Sequence, residues 1–556
     1  MRRIAAMHSL RITTSIALGL VGPALAKPPP TPTGVQAQGH DRRIDITWDF
    51  SAISKSDEAP ARYHVYRASA ADGPYERLTQ DPQDYAVYSD YLGANGRKRF
   101  YRVTRVDGGG ESDPCPPAAA KSHAMKIEAL LTSVQLATFR YFWHFAHPTS
   151  GLAREGFRHK RDICTSGGTG FGLMAIMVGA ERGFVPREAA AEQILRQVRF
   201  LQDTTPRYHG AWAHWINGDT GATIPFGGEK DNGGDIVETA FLVQGLLTVA
   251  QHFDRDTPVE RELRERVERL WREVEWDWYL GEPKGVRLLW HWSPDYGFEK
   301  NHRIGGHFNE CMIAYVLGLS SPTHALPVES YYEGWAGPPK NPNDPGYANG
   351  NEYYGHKLAV GWPLGGPLFF TQYSFLGLDP RYVSDRYCNY YENNRAISLI
   401  NHDYCADNPG KFEGYSDRVW GLTASFTPGG YHAHEPRADR GTITPTGAIS
   451  AMPYVPDESL ATLRHLYRQM GSELWGPFGF WDAFNPSKDW VSDTFLAIDQ
   501  GPIVVMIENY RTQLCWRMFM KNSDLIAGLK RVGLYASEPA EARRAGKRHE
   551  AEVDEP

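Results

Sequence analysis

The sequence predicts a mainly α protein, a closed double ring of helical hairpins preceded by a small all-β sandwich. Three observations predict it. Apolar residues recur with period two from about Val35 to Ala120 and change to helical spacing from Met125 onward. About a dozen helix-like stretches follow, an even number with no fixed repeat length, which suits a closed ring better than a solenoid. No βαβ alternation appears, so a parallel α/β sheet is not expected.

Taken in order, the chain of 556 residues begins with Arg2, Arg3 and Arg11, then an apolar run from Ile16 to Leu20 and Ala24-Leu25-Ala26. A basic start, a short apolar stretch and small residues at a cleavage position read as a signal peptide over 1–26, and so as a periplasmic or secreted protein. The stretch is too short to span a bilayer, and no other segment approaches ~18 uninterrupted apolar residues, so no membrane insertion is expected. The formal charge is −7, and losing three arginines makes it more negative, which argues against nucleic acid and anionic surfaces as partners. Residues 27–34, rich in proline, read as a stiff linker.

The period-two runs Ile44–Trp48, Tyr63–Arg67 and Phe100–Val106, with turn clusters such as Gly108-Gly109-Gly110 between them, predict a sandwich over 35–121. Its Trp-bearing strand followed by a Tyr-x-Val-Tyr strand resembles a fibronectin type III module, which implies docking or spacing and no catalysis. The helical stretches fall at about 127–145, 169–183, 187–202, 235–253, 258–278, 308–319, 368–376, 384–401, 417–425, 442–452, 457–470 and 499–520. They make up a domain over 125–535. Residues 536–556, charged and nearly free of large apolar groups, read as a disordered tail. The six cysteines form no CxxC; in an oxidising compartment one or two disulfides are compatible with them.

Three acidic clusters each open a helix after a glycine-rich or aromatic loop: Asp231 with Asp235 and Glu238, Asn309 with Glu310, and Asp493 with Asp499. In a ring of hairpins, helix starts distant in sequence gather at one rim, which suits two-carboxylate chemistry on a neutral polymer. Each cluster also fits helix capping: Asp235 with Glu238 has capping-box spacing, and Asn309 and Asp499 are acceptable N-caps. The loops beside them are dense in rings: Trp212-Ala213-His214-Trp215, Trp290-His291-Trp292 and Tyr431-His432-Ala433-His434, joined by Trp420 and Trp490. Flat rings present apolar faces to the C–H faces of sugars. Hence Trp212, Trp215, Trp290, Trp292, Trp420 and Trp490 are expected to stack on substrate. His432 with His434, or His291 near Asp295, lacks the spacing of a metal centre, so no metal and no cofactor is expected. Thr165 to Gly172 lacks the ending of a phosphate loop, and its glycines read as a tight turn into a helix.

The motifs Phe139–Trp143, Gly167–Gly172, His214–Gly218, Asp235–Leu242, Phe308–Cys311 and Ala497–Pro502, in that order, are similar to those of glycoside hydrolase family 144. The resemblance runs from about 128 to 522. It implies an (α/α)6 barrel and an endo-acting, inverting hydrolase of linear β-1,2-glucan. Carried onto this chain, it makes Glu310 the general acid and Asp499 and Asp235 candidates for the base or for holding the water. Asp231, Glu238, His214 and His291 become members of the substrate-binding cleft. An exo-acting enzyme releasing sophorose, a non-catalytic glycan-binding protein and a polysaccharide lyase are the alternatives; a lyase needs an acidic sugar, which an acidic cleft repels. A monomer is expected, with β-1,2-glucan or its oligosaccharides as partner.

Overall fold

The computed structural model describes residues 28–49, 61–339, 346–537 and 539. The expected signal peptide and most of the expected tail lie outside them. Two bodies follow one another: an all-β unit and a helical barrel.

The β unit has two sheets. One has the order β1 (Gln36–His40), β2 (Arg43–Thr47) and β5 (Val87–Tyr91). In the other, β3 (Arg62–Ala68) and β6 (Lys98–Asp107) pair over their length. The short β4 (Glu76–Arg77), β7 (Gly110–Glu111) and β8 (Ala118–Lys121) flank them. Alternation places Ile44, Ile46, Tyr63, Val65, Tyr101 and Val103 in the core between the sheets, with Trp48 edge-on to Tyr63 at 5.3 Å. The turn between β6 and β7 is closed by Gly109 N–H donating to Asp107 Oδ1 at 2.8 Å, with Gly110 at φ 107°.

The unit is not tethered by a spacer. Asp45, wholly buried, accepts from Arg43 at 2.8 Å and from Arg140 of the first barrel helix at 2.6 Å. Arg43 also donates to the Tyr467 hydroxyl at 2.8 Å and lies over the Trp475 ring at 4.4 Å. Val87 belongs to the barrel's own core. Two guanidiniums around one buried carboxylate bind the two bodies together, because exposing any one of them leaves an unpaired buried charge.

The barrel helices are α1 (Ile127–His144), α2 (Ser166–Glu181), α3 (Arg187–Asp203), α4 (Ile236–His252), α5 (Pro258–Arg272), α6 (Met312–Ser320), α7 (Tyr390–Asp407), α8 (Pro445–Ile449), α9 (Pro456–Leu474), α10 (Ala497–Thr512), α11 (Leu514–Phe519) and α12 (Ser523–Val532). Burial sorts them. α2, α4, α6, α8 and α10 are buried almost all round, as inner-ring helices must be, whereas α3 and α5 bury one stripe only. The inner ring closes by contact from element to element. Ser374 Oγ accepts from Ile313 N of α6, Gln372 Nε2 donates to Gly447 O of α8, and Thr446 Oγ1 of α8 donates to Asp499 O of α10.

Several expectations are corrected. The stretch 368–376 fills an inner position with two 3-10 turns in place of a helix. The stretch 417–425 is not helical: Gly421 sits at φ 123°, and Ala424–Thr427 pairs with Gly430–Ala433 as a hairpin. The last predicted stretch, 499–520, divides into α10 and α11, and α12 follows as a helix that the spacing did not mark. Gly167–Gly172 do not form a turn; they lie inside α2 and permit close packing. A Cβ on Gly170 would meet the Phe241 carbonyl of α4 at 2.3 Å, and one on Gly245 of α4 would meet Gly170 O at 2.1 Å. None of the six cysteines is in a disulfide.

Candidate active site

The start of α4 is built by three strands of loop. Asp235 N donates to Trp212 O at 2.8 Å, and Gly234–Asp235 pairs antiparallel with His291–Trp292. Ser166 N, at the start of α2, donates to His214 O at 3.1 Å. His214, His291 and Asp235 are therefore fixed by backbone before any side chain acts.

Asp235 is the N-cap foreseen for it, and its second oxygen meets two imidazoles. Its Oδ1 caps α4, accepting from Val237 N at 3.0 Å and Glu238 N at 2.9 Å. Its Oδ2 lies 3.3 Å from His214 Nδ1 and 3.4 Å from His291 Nε2. Burial alone would raise its pKa, but the hydrogen bonds from His214 and His291 hold the carboxyl well below the usual range. Burial opposes the charge on His214 as well, yet Glu238 and Asp235 lift the imidazole to about 9. His214 is a cation clasped by two acids. Asp231 is tied to Lys300 Nζ at 2.7 Å and lies 3.3 Å from His291 Nε2.

Glu238 behaves differently. Burial, with the charges of Asp235 and Glu155 added and that of His214 opposing, pushes it up to about 7. Its Oε2 accepts from Gly167 N at 3.0 Å, and a Cβ on Gly167 would sit 2.2 Å from that oxygen. The first glycine of the α2 run is thus a seat for a carboxylate.

Asn309 is not the N-cap expected of it: α6 starts from Cys311, and Asn309 Oδ1 accepts from Cys311 N at 2.9 Å in a turn around Glu310 that precedes the helix. Burial pushes the Glu310 carboxyl up to about 7, and no other carboxylate contributes to that shift. Its backbone carbonyl accepts from Ser374 Oγ.

Asp499 is not an N-cap; α10 starts from Leu496, and Asp499 stands inside its first turn. Its partner is Asp482, which no motif indicated. Neither Asp482 Oδ1 nor Asp499 Oδ2, both buried, has a donor among the described residues, a need that one proton shared between the two interacting carboxyls would meet. Burial pushes Asp482 up to about 6, and burial together with the charge of Asp482 raises Asp499 well above the usual range. The remaining Asp482 oxygen accepts from Phe426 N at 2.8 Å, and Asp499 Oδ1 lies 3.5 Å from the Tyr373 hydroxyl.

Tyr373 gathers the site. The charges of Asp499, Glu310 and Glu238 all reach its buried phenol, after burial itself, and raise it far above 10. Carboxyls from α4, α10 and the loop before α6 therefore surround one phenol, although they are far apart in sequence. Sequence reasoning missed Tyr373, Lys300, Asp482 and Glu155. Glu155 adjoins α10 through Ala497 N, which donates to its carbonyl at 3.1 Å.

The expected aromatic platforms divide. Trp212 and Trp420 are 0% exposed and cannot stack on a sugar. Trp212 donates its indole N–H to Leu201 O at 3.1 Å and lies under the Arg207 guanidinium, supporting Asp235 from below. Trp420 is edge-on to His402. Trp215, Trp290, Trp292 and Trp490 are half-buried. Trp290 stacks on His302 at 4.8 Å, and Trp292 packs against His209 and Trp278. The exposed rings beside the acids are two others. Phe226, 46% exposed, stacks on His214 at 3.7 Å and 7°. Tyr431, 55% exposed, feels the charges of Asp499, Asp482 and Glu238.

One trio among the described residues has metal-ligand proximity, His147 with Asp162 and Asp219. Thr149 N donates to His147 Nδ1 at 3.3 Å, so the ring proton is on Nε2, facing the carboxylates. Nε2–H is thus turned to the carboxylates as a donor from a neutral ring, a hydrogen-bonding arrangement and not a ligand set.

The chain is similar to several known proteins. A family profile described as putative glucoamylase matches residues 301–523. An exo β-1,2-glucooligosaccharide sophorohydrolase (non-reducing end) from Parabacteroides distasonis is 43% identical over 518 residues, covering 89% of this chain and 70% of that one. The crystal structure of a β-1,2-glucanase from Parabacteroides distasonis superposes with a TM-score of 0.84 at 42% identity, over 92% of this chain and 74% of the other. An endo-β-1,2-glucanase from Chitinophaga pinensis, solved with sophorotriose and glucose, gives 0.70 at 44% identity, over 74% of this chain and 99% of the other.

Proposed function

The chain belongs to glycoside hydrolase family 144, and from that membership we propose that it hydrolyses β-1,2-glucosidic bonds of linear β-1,2-glucan or its oligosaccharides, with inversion. The observation that carries the reading is the convergence of Glu310, Asp499 and Glu238 on Tyr373. Glu310, pushed up to about 7 by burial, keeps about half its population protonated at pH 7 and serves as general acid for the leaving oxygen. Asp499, sharing a proton with Asp482, leaves that pair one negative charge with which to hold and deprotonate the attacking water. Asp235 is a poor base because its lone pairs are already committed to two N–H groups and two imidazoles. It anchors His214 and His291, which with Asp231 and Lys300 bind sugar hydroxyls. Phe226 and Tyr431 supply the stacking faces. Inversion is what membership of the family implies, and the released anomer tests it.

For the mode of cleavage, the relative aligned along nearly the whole chain, β unit included, is named an exo enzyme. That breadth supports release of sophorose from the non-reducing end. Endo cleavage, which the sequence reading put first, is the second reading and is supported by the likeness to the Chitinophaga enzyme. Residues 1–26 support export to the periplasm or beyond, which N-terminal sequencing of the exported protein checks.

The deciding experiment incubates the protein with linear β-1,2-, β-1,3- and β-1,4-glucans and follows reducing ends, product length and the released anomer by NMR. Early accumulation of a single disaccharide from the β-1,2 polymer, released as the α-anomer, is the expected outcome. Mixed sizes transfer the mode to endo, and cleavage of another linkage alone overturns the substrate. Glu310→Gln should lower kcat by about 10²–10⁴-fold.

A further inference from the structure

The outer face of the β unit carries a cavity of about 300 Å³ that the catalytic reading does not use. It lies between Tyr66, Tyr75, Arg102, Thr104, Glu111 and Ser112. Residues 63, 65, 101 and 103 of β3 and β6 point into the sandwich core, so 66, 102 and 104 point away from it. The barrel packs on the opposite sheet, through Arg43 and Asp45 of β2. The cavity therefore faces away from the barrel, on a body rigidly joined to it.

Its chemistry is unusual for an unoccupied surface. The guanidinium carbon of Arg102 lies over the Tyr75 ring, 4.5 Å from its centroid. Its buried Nε has no acceptor among the described residues. Glu111 Oε1 takes two donors at 2.6 Å, the hydroxyls of Tyr66 and Thr104. Those bonds outweigh burial and hold the carboxyl below its ordinary value. Guanidinium and carboxylate line one small cavity without forming an ion pair with each other. An anion there would meet Glu111, and a cation would meet Arg102. A group that both accepts and donates hydrogen bonds satisfies the two together, and a sugar's vicinal hydroxyls do that, with the Tyr66 ring lining the same cavity and Tyr75 supporting Arg102.

We propose that this cavity is a second glycan-binding site, taking a neutral glucose unit of the polymer and holding it on the β unit while the barrel works on another part of the chain. The identity of the polymer rests on the function proposed above; the cavity's preference for a neutral polyhydroxyl ligand does not. The test compares the full chain with Arg102→Gln and Tyr75→Ala by affinity electrophoresis in gels containing linear β-1,2-, β-1,3- or β-1,4-glucan, alongside turnover of short β-1,2 oligosaccharides. Thermal unfolding of each variant confirms that it is folded, and Tyr75→Ala stands in if Arg102→Gln is not. The expected result is retention by one glucan that weakens about tenfold in the variants, the loss of a charge-assisted hydrogen bond or a stacked ring, with kcat/KM on short substrates unchanged. Folded variants retained like the parent by every glucan, or a parent retained by none, overturn the proposal. Retention by a β-1,3- or β-1,4-glucan that falls in the variants, with no cleavage of β-1,2-glucan, upholds the cavity and sinks the active-site reading instead.

Discussion

Replacing Asp482 with asparagine tests the acid–base assignment most directly. The substitution keeps the shape and the oxygen that accepts from Phe426 N at 2.8 Å, and removes the charge that faces Asp499. Like charges about 4 Å apart repel by about 4 kcal/mol at an effective dielectric of about 20, equivalent to about three pK units. Screening and the shared proton reduce this, so Asp499 should ionise about one to two units lower in the variant. Kcat/KM against pH reports the free enzyme's essential groups. In the wild-type protein the acidic limb belongs to the pair, whose Asp482 is pushed up to about 6. The alkaline limb belongs to Glu310, pushed up to about 7. In Asp482→Asn the acidic limb should move down by at least about one unit while the alkaline limb stays. An acidic limb that does not move, in a variant with unchanged thermal unfolding, removes the Asp499–Asp482 pair from the role of base.

Three further outcomes follow from the same geometry. Gly167→Ala places a methyl 2.2 Å from Glu238 Oε2; displacing that carboxylate by about an ångström should lower kcat/KM about hundredfold, and wild-type kinetics would show that Glu238 is not needed where it sits. Phe226→Ala removes the exposed ring stacked on His214 and should raise KM about fivefold to tenfold, a stacking energy of about 1 kcal/mol, with a smaller effect on kcat. Asp45→Asn leaves Arg43 and Arg140 buried against a neutral group and should cost about 3–5 kcal/mol in chemical denaturation at pH 7. Arg43, His40 and Arg140 outweigh burial and hold the Asp45 carboxyl far below its ordinary value, so its stabilisation is present above the unfolded pKa and fades as pH falls below about 4. The gap between wild type and variant should therefore narrow in acid, and a gap independent of pH would refute the ion cluster as its source.

The legible part of the molecule was the part encoded by short-range pattern. Period-two runs located β2, β3 and β6, and apolar spacing located α3, α5 and α9, because each of these helices buries one face and its sequence records which. The carboxylates of the site were legible too, since Asp235, Glu238, Glu310 and Asp499 each stand at or near a helix start. The inner-ring stretch at 368–376 was placed but mistyped: an element buried on every side has no polar face to reveal its period. Asp482 and Tyr373 carried no local signal, as neither belongs to a motif and each matters only through what faces it.

The sequence by itself determined that the chain is a helical ring behind a β unit, with clustered acids and many rings. Tertiary structure decided which rings can meet a sugar and which acids meet each other. Trp212 and Trp420 have the composition of a binding loop, yet ring closure buries them, while Phe226 is left exposed on His214. Glycines that looked like a turn became the seat of Glu238. The reason is physical: burial and mutual charge set the pKa values, and both depend on the closing of the inner ring, which joins residues that no local pattern relates.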